Sequence, residues 1–275
     1  MRMIILKCCM LLPVGLAQNP DEVLLARERG MANQEFRAPR AAGVQKVAGR
    51  TKSVILGLTV WQLRPPAPTD RERVLEHPFE DGSNPPLMAE RLEDARRLQE
   101  GGKIRITVEP SREGQLYVIS RERYSDGSFG GPRLVFPSVR IRGGSARAVP
   151  GEPIEIPEGT NRVPYLRLRK SRPDHTDEQL VLILAPAPIP GLIVTSGVLR
   201  LDPEQVTRWI EKWGANVQML DDPERRGAPM SAAEFRAAKH SERLRPQDAV
   251  PQLMFRKTVG TDQPVLATYF LKLDR

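Results

Sequence analysis

The chain has 275 residues, of which 40% are hydrophobic and 28% are charged, and its formal net charge is +8. This size can build one large or two small domains, the 26 prolines argue against a mostly helical protein, and the basic excess favours anionic partners. Beyond the N-terminal leader no stretch approaches about 18 consecutive apolar residues, so no transmembrane segment is expected in the mature chain.

The first 17 residues have the pattern of a secretory signal peptide. Arg2 gives a basic start, an apolar stretch interrupted by Lys7 follows, and Gly15 and Ala17 suit the two small-residue subsites of signal peptidase. We expect cleavage after Ala17 and export to the periplasm or the extracellular space. A buried N-terminal strand is the alternative. Nucleic acid is not an expected partner, because an exported protein rarely meets it.

Both cysteines of the chain, Cys8 and Cys9, fall in this leader. A mature chain without cysteine cannot form disulfides, use a cysteine nucleophile or bind a metal through thiolates.

Residues 18–52 are predicted to form a flexible tether, because they are polar and have little apolar periodicity. A single β-rich domain with helical insertions is predicted over 53–275. It begins with "SVILGLTVWQL" at 53–63, which is apolar on both faces, as a central strand would be.

A long polar connection follows, and a helix is predicted near its end, over 86–102. Leu87, Leu92 and Leu98 fall at helical spacing there, and a Gly-Gly pair would end the helix.

Six further strands are predicted in the middle of the chain, separated by Gly- and Pro-containing turns. They cover 103–109, 115–120, 133–138, 152–157, 165–170 and 178–186. The last of them is a continuous apolar run and is therefore placed centrally in a sheet.

The C-terminal third adds two helices and a hairpin. Asp202 is a good N-cap for a helix that begins at Pro203 and ends near Gly214, and "SAAE" at 231–234 is a capping box for a second helix. Residues 252–273 are expected to form a closing hairpin. The whole pattern predicts a mainly β fold, an antiparallel β-sandwich or open barrel with two or three short helices in the connections.

Five consecutive motifs carry a resemblance to a known family: "GGKIRI", "EGQLYVI", "SDGS", "RLVFPS" and "AVPGEPIEIP". The order and spacing of these motifs resemble the bacterial domain-of-unknown-function family numbered 4384. The resemblance covers Gly101 to Pro157 and extends into the flanking residues. The resemblance implies a β-sandwich accessory domain, of a kind often attached to peptidases or kinases in other chains. It implies no catalytic residues. The turn "RERYSDGSFGGP" is longer here than in the family.

That long turn holds the candidate ligand-contact residues. Arg121, Arg123, Tyr124 and Phe129 are predicted to form an exposed contact patch at the tip of a hairpin. The alternative is that the two aromatic side chains only close a small turn cluster, because isolated exposed aromatic residues are ordinary.

No motif for catalysis, metal binding or a cofactor is present. The chain lacks a G-x-S-x-G elbow, an H-E-x-x-H motif and a phosphate-binding loop. Ser, Asp and His come together only in "SRPDHTDE" at 171–178, where neighbouring side chains on a turn point apart and the ligand spacing of a calcium loop is missing. We therefore predict no catalytic residue, no metal and no cofactor.

The function predicted from these features is an exported bacterial binding or accessory domain without catalytic activity. Its expected partner is another envelope protein or an anionic cell-wall polymer. One alternative is a hydrolase with a site around Asp174 and His175. The other is a structural assembly component that pairs through an edge strand.

Overall fold

The computed structural model describes residues 51–70, 75–76, 86–93, 98–158, 163–192, 194, 198–240 and 242–274. The predicted signal peptide and nearly all of the predicted tether lie outside the described residues.

Within the described residues the chain forms fourteen strands, two α-helices and three short 3₁₀ helices. The strands are β1 (Thr51–Arg64), β2 (Leu75–Glu76), β3 (Leu87–Arg91), β4 (Lys103–Pro110), β5 (Gly114–Tyr124), β6 (Arg133–Phe136), β7 (Arg147–Ala148), β8 (Ile154–Ile156), β9 (Leu166–Arg167), β10 (His175–Ala185), β11 (Leu199–Arg200), β12 (Gln218–Asp221), β13 (Leu253–Gly260) and β14 (Val265–Lys272). The helices are α1 (Pro203–Gly214) and α2 (Ala232–His240), and the 3₁₀ helices are Pro68–Asp70, Arg142–Gly144 and Pro223–Arg225. Neither α-helix has the length and apolar composition needed to span a membrane.

The long strand β1 is the centre of the first sheet. One of its edges pairs with β13 and then with β3, and the other edge pairs with β4. The strands β8 and β9 extend the sheet beyond β4, β12 extends it beyond β13, and β2 pairs with β3. The apolar side chains on both faces of β1 are buried, as expected for a strand covered on both sides.

The second sheet has the order β11-β6-β5-β10-β14, and β7 also pairs with β5. Every pairing between two of these described strands is antiparallel. The two sheets face each other across one core, to which Leu58, Ile106, Val118 and Leu182 belong. The mainly β class and the β-sandwich with few helices are confirmed.

The two helices cover the outer faces of the sandwich. In α1, Val206 and Trp209 are buried against Val181 and Ile183 of the second sheet. The side chain of Asp202 accepts a hydrogen bond from the Glu204 amide, as expected of the N-cap. The capping box of α2 is also present, because the carboxylate of Glu234 accepts hydrogen bonds from the amide and hydroxyl of Ser231.

The helix predicted over 86–102 is wrong for Leu87–Arg91, which is the strand β3, while residues 94–97 lie outside the described residues. It pairs with Trp61–Arg64 of β1, and Met88 and Ala89 are buried there. Leu92 and Leu98, which had suggested a helical face, belong to the core between the sheets. The segment forms a strand because it pairs with the edge of β1 and is buried there, and these tertiary contacts outweigh its local helix propensity.

The closing hairpin predicted over 252–273 is also wrong. Both segments are strands, but β13 pairs with β1 in the first sheet and β14 pairs with β10 in the second. The turn between them crosses from one sheet to the other. Periodicity predicts a strand but not its neighbour. Here β13 adds to an edge of β1, and β14 adds to an edge of β10.

A fully buried ion pair joins β4 to β8. Nη1 of Arg105 donates to Oε1 of Glu155 at 2.8 Å, and the side chain of Arg105 is 0% exposed. Nε of Arg105 donates to the carbonyl of Pro164 at 2.9 Å. Such a charge is tolerated in an interior only while its partner is present.

We expect Glu155→Gln to lower the free energy of unfolding by about 3 kcal/mol, because the buried guanidinium loses its counter-charge. Urea denaturation measures this. The matched control is Glu152→Gln, whose partner Arg243 is 70% exposed and which should cost less than about 1 kcal/mol. Equal losses for the two variants would contradict the role of the buried pair.

Candidate functional site

A cleft of about 720 Å³ opens between the two sheets at one end of the sandwich. Its size is within the range of small-molecule sites. The first sheet contributes β4 and β9 to its walls, and the second contributes β5, β6, β10, β11 and β14. The walls are mostly apolar and continue the core; their apolar members include Ile104, Ile106, Val135, Leu166, Leu168, Leu180, Leu271 and Leu273.

A β-bulge brings three ionisable side chains to the base of this cleft. Glu178 of β10 lies directly opposite Glu122 of β5. The register then shifts between His175 and Asp177, so that His175 lies opposite Tyr124. Opposed residues share a face and residues of a strand alternate between faces. The bulge therefore places His175 on the same inward face as the two glutamates.

Glu122, His175 and Glu178 form a compact cluster. One nitrogen or oxygen atom from each of them lies within 4.8 Å of the atoms from the other two. Nε2 of His175 is 3.4 Å from Oε2 of Glu178 and 2.9 Å from the carbonyl oxygen of Asp177. The side chain of His175 is 1% exposed, and its Nδ1 has no hydrogen-bond partner among the described residues.

The environment of Glu122 favours its ionised form. Burial by itself raises the pKa, but hydrogen bonds from the hydroxyls of Ser171 and Tyr124 and the charge of Arg133 outweigh burial and hold the pKa below its usual range. The distance from Nη2 of Arg133 to Oε1 of Glu122 is 3.2 Å.

The environment of Glu178 favours its protonated form instead. Burial raises the pKa of this carboxyl, and the charge of Glu122 adds to the effect. The hydroxyl of Ser120 donates to Glu178, and Arg133 is 4.0 Å away; both oppose the rise without reversing it. Two facing carboxyls with opposite pKa shifts are an arrangement suited to acid–base chemistry or to sharing a cation.

The residues that line the cleft also include a set of cations. They are Arg133, Arg140, Arg167, Arg169 and Lys170. Arg140, Arg167 and Arg169 are exposed, and none of the three forms an ion pair with another described residue. Among the described residues, no carboxylate neutralises the charge that these three arginines bring to the cleft.

The predicted contact patch does not form one exposed surface. Tyr124 is on the cleft side of β5, whereas Arg121 and Arg123 are on its other side because alternate residues face opposite ways. The expectation of exposure is wrong for Arg121 and Tyr124, which are 6% and 9% exposed. Arg121 lies over the ring of Phe129 at 3.9 Å, and Arg123 pairs with Asp177 at 2.7 Å. Phe129 is 40% exposed.

Of the alternative pair, only one residue belongs to the cleft. His175 lines it, whereas Asp174 pairs with Arg172 at 2.8 Å and does not line it. Sequence reasoning missed Glu122 altogether. The signal was a charged residue in the inward series of β5, two positions after Ser120, where an apolar residue would ordinarily stand.

Comparison with family models, with curated proteins and with solved structures finds no match to this chain. The resemblance to the family numbered 4384 therefore stays a prediction.

We expect Glu122→Gln and Glu178→Gln to change stability in opposite directions at neutral pH. The ionised form of Glu122 is favoured by folding, so its neutral replacement should lower the melting temperature by about 2–4 °C. Ionised Glu178 is disfavoured by folding, so its replacement should raise the melting temperature by about the same amount. Thermal unfolding with a chelator present measures both.

The pH dependence supplies the control. The stability due to protonated Glu178 is present in acid and lost as pH rises through its raised pKa, so the gain in Glu178→Gln should vanish in acid. The stability due to ionised Glu122 is lost as pH falls through its lowered pKa, so the loss in Glu122→Gln should vanish there too. Shifts of the same sign at neutral pH would rule out the pKa assignment.

Proposed function

We propose that the chain is an exported binding domain without catalytic activity, and that it holds an anionic ligand with an apolar part in the cleft between its sheets. The observation that carries this proposal is the combination of apolar walls with exposed arginines that pair with no other described residue around a space of about 720 Å³.

The apolar walls supply the main attraction. Leu166 is only partly buried and lines the cleft next to core residues such as Ile104 and Leu168. A ligand chain that covers these walls gains about 0.8 kcal/mol for each buried methylene group. A ligand that is entirely polar, such as a free sugar, would forfeit this term.

The cations select the sign of the ligand's charge. Arg140, Arg167 and Arg169 line the cleft from two separate segments, and their positive charge attracts an acidic group to its mouth. The ionised Glu122 repels an anion from the base of the cleft, which directs the acidic group to these arginines. Their exposure makes the attraction moderate and sensitive to salt.

An anionic component of the bacterial envelope with an apolar part meets both requirements. This partner belongs to the classes predicted from the net charge, a cell-wall polymer or an envelope protein that presents an acidic segment. Export rests on the signal-peptide pattern of residues 1–17.

A hydrolase remains a second candidate because of the facing carboxyls. Its site would be Glu122 and Glu178 with His175, in place of the predicted Asp174 and His175. The opposite pKa shifts of the two glutamates favour it, since one carboxyl could donate a proton while the other stays ionised.

Isothermal titration with dodecyl phosphate tests the binding proposal. We expect one saturable site per chain and at least about tenfold weaker binding of dodecyltrimethylammonium, which has the same chain and the opposite charge. Raising the salt from about 50 to about 500 mM NaCl should weaken the binding of dodecyl phosphate and leave the binding of the uncharged dodecyl maltoside unchanged. Equal affinity for the anionic and cationic probes would contradict the proposal.

Two variants locate the site. Arg140→Gln/Arg167→Gln/Arg169→Gln should weaken dodecyl phosphate about tenfold, and Leu166→Trp should block the cleft to all three probes. The matched control is Arg208→Gln/Arg236→Gln/Arg243→Gln, which removes three exposed arginines that do not line the cleft. An equal effect of the control would show that the binding is not in the cleft.

A further inference from the structure

The base of the cleft presents two carboxylates and one imidazole within reach of a single point. We propose that Glu122, His175 and Glu178 bind one first-row divalent transition-metal ion.

The geometry is close to that of a three-residue metal site. Metal–oxygen and metal–nitrogen bonds of about 2.0–2.2 Å place the ligand atoms of one ion about 3–4 Å apart. The three donor atoms here lie within 4.8 Å of one another, so small rotations of the two glutamate side chains would close the site. The backbone needs no change, because the strand register already opposes Glu122 to Glu178.

His175 supplies an observation independent of the acidic pair. Nε2, the ring nitrogen that lies 3.4 Å from Oε2 of Glu178, also contacts the carbonyl of Asp177 at 2.9 Å, which fixes the ring beside the carboxyls. The other nitrogen is buried and has no partner among the described residues. An unpaired nitrogen in a buried side chain is costly unless something binds to it, and imidazole is the commonest metal ligand among side chains.

Hydroxyl groups already hold both carboxylates in place. Ser120 donates to Glu178, and Ser171 and Tyr124 donate to Glu122. Hydrogen bonds from such outer groups orient metal-binding carboxylates and are part of most metal sites.

Arg133 is the group that competes with a metal. Its Nη2 lies 3.2 Å from Oε1 of Glu122 and 4.0 Å from Oε1 of Glu178, so it partly neutralises the pair. Its side chain is 44% exposed, which leaves the guanidinium room to move outward when a more highly charged ion arrives. This makes a prediction that a purely structural ion pair does not share: removing Arg133 should strengthen metal binding.

The donor set selects the class of ion. An imidazole with two carboxylates suits Mn²⁺, Fe²⁺ or Zn²⁺, whereas Mg²⁺ and Ca²⁺ prefer oxygen donors alone. With only three protein ligands, the ion would keep positions open toward the cleft. This inference does not depend on the proposed anionic ligand, because the metal can be measured without one.

The test is titration of the chelator-treated full chain with ZnCl₂ by calorimetry and with MnCl₂ by electron paramagnetic resonance. We expect one ion per chain, tighter binding of Zn²⁺ than of Mn²⁺, and no competition from Mg²⁺ at equal concentration. Glu122→Gln and Glu178→Gln should each lower the affinity for Zn²⁺ at least about tenfold, and Arg133→Gln should raise it. The control is Asp174→Asn. Asp174 immediately precedes His175 but does not line the cleft, so this variant should bind Zn²⁺ with the affinity of the parent.

Circular dichroism shows which variants are folded, and His175→Gln is a second variant should one glutamate variant fail to fold. Parent-like Zn²⁺ affinity in the folded glutamate variants would overturn the proposal, as would the absence of a saturable site. Weaker binding in Arg133→Gln would also overturn the assignment to this cluster. If the parent chain binds dodecyl phosphate but no metal, this inference fails while the proposed function stands; if it binds metal but no dodecyl phosphate, the reverse holds.

Discussion

The functional end of this protein depends on one irregularity in the pairing of β10 with β5. From Glu178 to Ala185 the two strands pair without interruption, and their inward residues fill the core. One extra residue, Thr176, then breaks the alternation. Without it His175 would face the outer surface beside Asp177. With it the imidazole joins Glu122 and Glu178 on the inner face, at the point where the sheets leave room for a ligand.

Buried charge is used in two different ways in this sandwich. Arg105 and Glu155 neutralise each other on the covered outer face of the first sheet, away from the cleft, so their role is structural. Glu122 and Glu178 face each other and share one partly exposed arginine, so both can be ionised only if a further cation joins them. An unbalanced cluster costs stability unless another cation or proton joins it, which is typical of a functional site and unusual in a core.

The sequence was sufficient for the class of fold, because alternation and turn residues mark most strands and Asp202 and Ser231 mark the helix starts. It was not sufficient where the outcome depends on distant partners. The segment at Leu87–Arg91 becomes a strand because β1 offers it an edge, and β13 and β14 separate because each completes a different sheet. The position of His175 depends on a β-bulge that no residue type in the sequence indicates. The residues that line the cleft could therefore be identified only from the structure.

The pairing of β1 with β13 joins parts of the chain that are far apart in sequence, since Thr51 lies opposite Gly260. The central strand of the first sheet cannot gain this neighbour until nearly the whole domain has been synthesised. The strand β14, which follows immediately, then closes the second sheet against β10. Such long-range pairing makes folding slow and late relative to translation. The order of synthesis thus leaves both sheets incomplete until the C-terminal strands have been made.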